Sequence, residues 1–374
     1  MRSQVFKRVW RFLARVDVAA VLIVAVLLLA ALGSCFPQLS SPVADDPERL
    51  ARWEAVTRAR YGALTDVFRA IGAFRWFRSP IFLASLALLA TATLVCTLNR
   101  WRGVWRRAFH QPVRCSDAVL DAAPHTAGLT APREVDLPRV VRECLERWGF
   151  RVRTTKVVTT DGVCVCLRGD RNRLASLATL ATHLAVLLLL LGVVLSYGCG
   201  WREEVVIGPG TTTDVGHGSK LRVRDEGFTI TRYADGSVAG YEARVAVIEG
   251  GREATGGSIR VNEPLSYGGV GLHLQAYAEA PDGYSVALLA VRDPGYGLVV
   301  AAGLLLLFGL TVTFNFPHCR IHARIEPEER LRLAGWADRR AWDFEREFVA
   351  LVEEIRRAES GHYSMPNRES ISSG

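Results

Sequence analysis

The sequence predicts a membrane protein with four transmembrane α-helices, a small cytoplasmic α+β unit and an outward-facing β-rich domain, either a sandwich or an open barrel. Three observations lead to this fold class. Four stretches, 18–44, 79–99, 174–201 and 294–319, contain no Asp, Glu, Lys or Arg. Arginine and lysine crowd the same alternate ends of those stretches. The segment between the last two is rich in Val, Thr and Tyr and broken by turn signals. Of the 374 residues 49% are hydrophobic, and they are segregated into runs rather than spread along the chain. A helix needs about 20 apolar residues to cross a bilayer. Four basic-flanked runs of that length do not fit buried helices of a soluble fold.

Residues 1–17 form a cytoplasmic N-terminus carrying Arg2, Lys7, Arg8, Arg11 and Arg15. The first span covers 18–34. The chain continues "GSCFPQ" with no A-x-A-like cleavage site, so the span reads as a retained signal anchor. An outer loop, 35–79, mixes seven arginines with five acids. The second span covers 80–98. Within 99–173, the cytoplasmic α+β unit, "PRVVRECLERWGFRV" has helical spacing and ends near Gly149. "RVRTTKVVTTDGVCVCLRG" follows as two strands around a Thr-Asp-Gly turn. The third span covers 174–197. Residues 198–296 are the outer domain, with turns at "ADGS", "EGG", "GGVG" and "PDG" spaced as in β-hairpins. The fourth span, 297–316, starts after "RDPG", where Asp293 can cap the helix and Pro294 suits its first turn. In the cytoplasmic tail, 317–374, residues 340–357 read as a solvated helix and the polar end "ESGHYSMPNRESISSG" as disordered.

Orientation follows the positive-inside rule. Arg100, Arg102, Arg106 and Arg107 follow the second span, Arg168, Arg171 and Arg173 precede the third, and Arg320 and Arg324 follow the fourth. All fall in the cytoplasm if the chain is N-in and C-in in the cell (inner) membrane. The seven outer-loop arginines run against this, though spread among acids. The net charge of +8 then reflects contact with membrane lipid. No zinc-finger or RNA-binding signature points to nucleic acid.

His183 is the one side chain inside the third span that readily carries a charge near neutral pH. As the tenth residue of the span, at 1.5 Å per residue, it falls near the bilayer midplane. An ionisable group there is costly and usually functional. Neutral imidazole is a good ligand for iron, haem iron included. Ser176 and Thr179 share its helical face and predict that this face meets protein, a cofactor or water rather than lipid. The plain alternative is a histidine bonding another helix. Eight cysteines are present, none in C-x-x-C-H or C-x-x-C, so neither covalent c-type haem nor thioredoxin-like chemistry belongs to this chain. Cys164 and Cys166 share a strand face and read as core. Cys35 and Cys199, at outer helix ends, read as unrelated thiols, with a disulfide or redox pair as alternatives. His217 and His273 lie in the outer domain; His273 should face away from Leu272 and Leu274, and either histidine is an outer haem-ligand candidate. His318 and His322, one helical turn apart, read as part of a basic collar, with a shared metal as the alternative. No nucleophile elbow, phosphate loop or carboxylate pair appears. No catalytic residue is assigned, nor any metal beyond haem iron.

Taken in order, "LGSCFPQ", "FRSPIF", "CTLNR", the His183 span with its "YGCGWREEVVIGPG" exit, "VNEPLSYGGVGLHLQAY" and "VRDPG" resemble the ResB family of cytochrome c biogenesis proteins over about residues 10–325. Ser34 and Leu274 depart from the family's usual Thr and aromatic at those positions. The resemblance implies the membrane subunit of a System II cytochrome c synthase. Such a subunit moves haem b, as transient cargo, and delivers it to apocytochrome c with a ResC/CcsA-type partner. A thiol-reducing thioredoxin-like protein serves the same pathway. The nine tryptophans form no dense Trp-rich cluster, so the partner's haem-handling segment is absent, and the chain is at most a non-catalytic or co-catalytic subunit. The family's transmembrane histidine corresponds to His183, a haem axial ligand. Arg168, Arg171 and Arg173 at the inner mouth then become candidates for attracting haem propionates, their plainer role being membrane anchors. The alternative function is a scaffold, without haem, that holds apocytochrome c or stabilises the partner. A transporter for another ligand is weakened by the lack of evident inverted repeats.

Overall fold

The computed structural model describes residues 2–39, 41–44, 46–110, 112–114, 116–130, 136–159, 162–327 and 330–359. The tail end expected to be disordered lies outside the described residues. Four helices are long and apolar enough to cross a membrane: Val16–Ser34, one within Leu64–Phe109, one within Arg173–Cys199, and Tyr296–Asn315. The middle two contain the continuous α-helices Pro80–Phe109 and Ala178–Cys199. Thirteen strands among the described residues, β1–β13 in chain order, form three antiparallel sheets. The chain divides into two compact units, Met1–Cys96 with Ala185–Leu304, and Thr97–Leu184 with Leu305–Gly374.

In the first unit, the end of the first span is held by one amide. Gln38 Nε2 donates to the carbonyls of Gly33 (2.9 Å), Phe36 (3.2 Å) and Ala73 (3.0 Å), and its Oε1 accepts from the Trp76 amide at 3.1 Å. Trp76 Nε1 reaches back to Leu29 O at 2.7 Å. A Cβ at Gly33 would collide with the Trp76 ring, so the "GSCFPQ" run is explained by packing. The loop between the first two spans is largely helical, with Pro47–Tyr61 and Leu64–Ala70. Asp46 caps the first of these ahead of Pro47, the pairing that starts a helix. Trp53, Tyr61, Phe36, Phe68 and Phe74 interlock between these helices.

The β-rich part of this unit holds two four-stranded sheets. One is β4 (Trp201–Ile207), β11 (Gly283–Arg292), β10 (Val270–Ala280) and β9 (Leu265–Tyr267); the other is β5 (Thr212–Asp214), β6 (Leu221–Arg232), β7 (Val238–Glu249) and β8 (Arg252–Arg260). Alternate residues of both, among them Val205, Val223, Val245, Ile259, Leu272 and Leu288, meet in one apolar core. The third and fourth spans approach through glycine: a Cβ on Gly192 would lie 2.7 Å from Val299 Cγ2 and 3.2 Å from Gly295 O. Small residues permit such close helix contacts. At the "RDPG" corner Asp293 Oδ1 accepts from the Ser196 hydroxyl (2.5 Å) and the Gly295 amide (3.1 Å).

The second unit is a five-stranded sheet, in the order β1 (His125–Thr130), β13 (Arg330–Ala337), β12 (Cys319–Ile325), β3 (Gly162–Arg171), β2 (Arg151–Thr159). The segment after the fourth span is therefore no simple tail. It supplies β12 and β13 at the centre of the sheet and the helix Phe344–Glu359. That helix was expected to be solvated. Instead Phe344, Phe348, Leu351, Val352 and Ile355 are buried with the Leu137–Arg147 helix and one face of the sheet. Their i, i+4, i+7, i+8, i+11 spacing is an amphipathic stripe, hidden in sequence by the Glu and Arg around it. Trp148 Nε1 donates to Glu354 at 2.6 Å and Arg147 pairs with Glu354 at 3.0 Å.

Candidate functional site

His183 lies in the second unit, in the Ala178–Cys199 helix. Residues Arg173–Leu177 ahead of it are a 3-10 turn. His183 is therefore about 8 Å along the α-helix from Ala178, nearer its N-terminal end than its centre. The second-span helix brings Thr97 to it: Thr97 Oγ1 stands 3.0 Å from His183 Nδ1, across 86 positions of sequence. This engages Nδ1 and leaves Nε2 as the ring nitrogen for a further ligand. When Nδ1 donates its hydrogen to the hydroxyl, Nε2 presents a lone pair.

A cavity of about 400 Å³ opens beside the imidazole. Ser176 and Thr179 line it together with His183, as their shared helical face requires. Arg100, one turn beyond Thr97, also lines it, with Arg107, Arg320 and Arg340. Asp338 is the carboxylate among the lining residues, and it accepts from the His318 amide at 3.3 Å. Aromatic rings hold two of the guanidiniums in place: Arg320 sits 4.4 Å above Trp336 and Arg340 5.8 Å from Phe314. The Thr313 hydroxyl, also on the cavity wall, is buried with no hydrogen-bond partner among the described residues. An imidazole, an excess of positive charge and an orphaned hydroxyl thus face one space.

Behind the cavity, the sheet face opposite the apolar core is polar. Arg168, 1% exposed, clasps Asp170 through Nε (2.7 Å) and a terminal nitrogen (2.8 Å) and donates to Pro112 O at 3.1 Å. His318 Nε2 is 3.1 Å from Asp170 Oδ1. Burial alone would raise the Asp170 pKa, but the bonds from His318 and Arg168 outweigh it and hold the carboxyl far below its usual range. His322, 4% exposed, packs edge-on to Trp336 at 5.4 Å. Burial first, then the Arg168 and Arg320 charges, lower its pKa to about 4, against the opposing pull of Asp170 and the Val113 carbonyl.

Several expectations change here. The fourth helix ends at Asn315, and His322 lies in β12. Four residues along a strand are about 13 Å apart, too far for His318 and His322 to share a metal. Arg168, Arg171 and Arg173 do not line the His183 cavity. Arg168 is occupied by Asp170; Arg171 pairs with Glu347 at 2.5 Å. Arg171 and Arg173 line a different cavity, of about 780 Å³, with Arg151 and Arg153. His217 is exposed, stacks on Trp201 at 5.2 Å and lies 3.9 Å from Glu203. His273 is exposed while Leu272 is buried, as the alternation required. Cys164 and Cys166 are buried, on the strand face of Arg168 rather than that of Leu167. Cys35 and Cys199 are free and exposed. Among the described residues no three His, Cys, Asp or Glu side chains group as a metal site.

The ResB-like family model matches residues 16–289 and 280–349. The chain belongs to the ResB-like family. Among its relatives, the cytochrome c biogenesis protein CcsB of Synechococcus sp. (strain JA-2-3B'a(2-13)) is 26% identical over 276 residues, 70% of this chain and 55% of that protein. CcsB of Thermosynechococcus vestitus is 25% identical over 293 residues, 73% and 61% of the two chains. The cytochrome c biogenesis protein ResB of Bacillus subtilis is 21% identical over 314 residues, 74% and 56%. The chain thus spans little more than half the length of these relatives. A solved structure of the cytochrome c heme lyase CcmF aligns at 13% identity and a TM-score of 0.33, over 70% of this chain and 44% of that one, a likeness with no bearing on function.

Sequence reasoning missed Thr97, Arg320, Arg340 and Thr313 as neighbours of His183. A signal for the first was present: "CTLNR" contains both Thr97 and Arg100, three positions apart and so on one helical face.

Proposed function

We propose that this chain is the membrane subunit of a System II cytochrome c synthase. It takes haem b at the inner face of the cell membrane and passes it outward, with a ResC/CcsA-type partner, for attachment to apocytochrome c. A thioredoxin-like protein keeps the apocytochrome thiols reduced. The chain is N-in and C-in, with the β-rich part outside. The observation that carries this reading, in a ResB-like chain, is His183 facing an arginine-lined cavity with Thr97 on its Nδ1. The fit to haem is chemical. About 400 Å³ lies within the roughly 300–1,000 Å³ of small-ligand pockets. Neutral imidazole is an iron ligand, and Trp336 and Phe316 add apolar wall. His183 binds the iron through Nε2. Thr97 fixes the ring by accepting from Nδ1, the supporting bond that metal-bound histidines usually make. The chain lacks C-x-x-C-H, so it holds haem reversibly, as cargo.

The test is the optical spectrum of the full chain purified with its partner. His183→Ala should lose the haem Soret band and regain it with added imidazole. Thr97→Val should weaken haem binding about 10- to 100-fold, and Thr97→Ser should stay near wild type. An unchanged spectrum and intact cytochrome c maturation in His183→Ala would overturn the ligand role and leave the scaffold reading.

A further inference from the structure

We propose that Arg100, Arg107, Arg320 and Arg340 are the carboxylate-binding end of the His183 cavity, so that the site selects porphyrins with free propionates. This rests on the haem reading and adds to it the feature of haem that the protein reads. Arginines that serve only as anchors need face nothing but lipid headgroups. These four line the cavity that the imidazole lines. Two are fixed over aromatic rings, which sets their direction before any ligand arrives. Asp338 opposes them and already accepts from a backbone amide. Positive charge held in a partly enclosed site calls for an anion. A guanidinium pairs with carboxylate through two parallel hydrogen bonds, and such bonds are roughly twice as strong as neutral ones.

The spacing along the second-span helix suits a ligand with a metal at its centre and carboxylates along one edge. Arg100 is about 4.5 Å and Arg107 about 15 Å beyond Thr97 at 1.5 Å per residue. Basic groups therefore stand at graded distances from the imidazole. The second arginine-lined cavity supplies an internal comparison. Arg151, Arg153, Arg171 and Arg173 line it, but His183 does not. Arg153 and Arg171 there are also tied to Asp170 and Glu347.

The experiment compares haem with haem dimethyl ester, whose propionates are esterified, by Soret titration of the haem-stripped full chain with its partner. Three proteins are used: wild type, Arg107→Gln with Arg340→Gln, and Arg151→Gln with Arg173→Gln. Wild type should bind the diacid at least about tenfold tighter than the ester. The Arg107/Arg340 pair should cut that preference to below about threefold, with the ester affinity and band position unchanged. The Arg151/Arg173 pair should keep it. Equal affinities for diacid and ester in wild type, with the Soret band present, would overturn this inference and spare the haem reading. So would an equal loss in the Arg151/Arg173 pair. Absence of any band in wild type would overturn both. If the Arg107/Arg340 protein fails to fold, the wild-type comparison still decides.

Discussion

At His183 the chemistry turns on a hydroxyl 86 positions away, and around it the neighbouring charges are sorted by burial. Arg168 looks from sequence like a membrane anchor, yet it is 1% exposed and held by Asp170 and a backbone carbonyl. Of the four arginines that line the cavity, Arg320 and Arg340 sit over aromatic rings. His322 is the residue with the clearest pH consequence. Its pKa is lowered to about 4 from 6.5 by burial and the guanidiniums of Arg168 and Arg320, so below pH 6.5 the unfolded chain binds a proton that the folded chain refuses. Its contribution is neutral above 6.5 and grows unfavourable as pH falls to about 4, reaching a few kcal/mol at most. Asp170 acts in a separate window. Its depressed pKa stabilises above the ordinary carboxylate value and is lost only in stronger acid. Thermal unfolding of wild type should therefore move to lower temperature between pH 6.5 and 4.5. His322→Gln, which keeps a donor for the Val113 carbonyl but cannot titrate, should flatten that slope. An undiminished slope in the variant would place the sensitivity elsewhere.

Elements were legible where their signal is local. Twenty apolar residues in a row announce a span whatever lies around them, and a Thr-Asp-Gly between two alternating runs announces the β2–β3 hairpin. The strands β12 and β13 were missed because their reason lies far off: β12 pairs with β3, Ile321 opposite Gly169, and nothing local marks that partner. Pro317 ends the fourth helix and frees the chain to enter the sheet. His318 and His322 then fall on a strand, where the helical spacing assumed for them has no meaning. The Phe344–Glu359 helix was found but its burial was not, since charge content hid its stripe. Phe348 is at the centre of that stripe, against Gly335, where an added Cβ would lie 2.8 Å from the Phe348 ring. Phe348→Ala should destabilise the second unit by about 3–5 kcal/mol, read as a lowered unfolding midpoint of the full chain. Val349→Ala, one position along and 56% exposed, should change it by less than about 1 kcal/mol. Equal effects at both positions would mean that the helix does not dock through this stripe.

For the whole molecule, charge is the argument for the proposed direction across the membrane. Arginines cluster beside the second span's end, before the third span and after the fourth, and basic flanks stay in the cytoplasm. The arginines between the first two spans do not reverse this. Several are neutralised in place: Arg49 pairs with Glu204 (2.8 Å) and Asp46 (3.0 Å), Arg58 with Asp66 (3.0 Å) and Arg69 with Glu54 (3.0 Å). The proposed N-in, C-in topology would put the His183 cavity's arginines at the inner face and the β-rich part outside. Cys35 and Cys199 are free and exposed, which makes the topology directly measurable. In chains reduced to one cysteine, a membrane-impermeant maleimide added to intact cells should label Cys35 or Cys199. A chain whose single thiol is introduced by Arg142→Cys, an exposed position on the Leu137–Arg147 helix, should be labelled only after permeabilisation. Labelling in the reverse pattern would invert the proposed topology and put the arginine cluster outside.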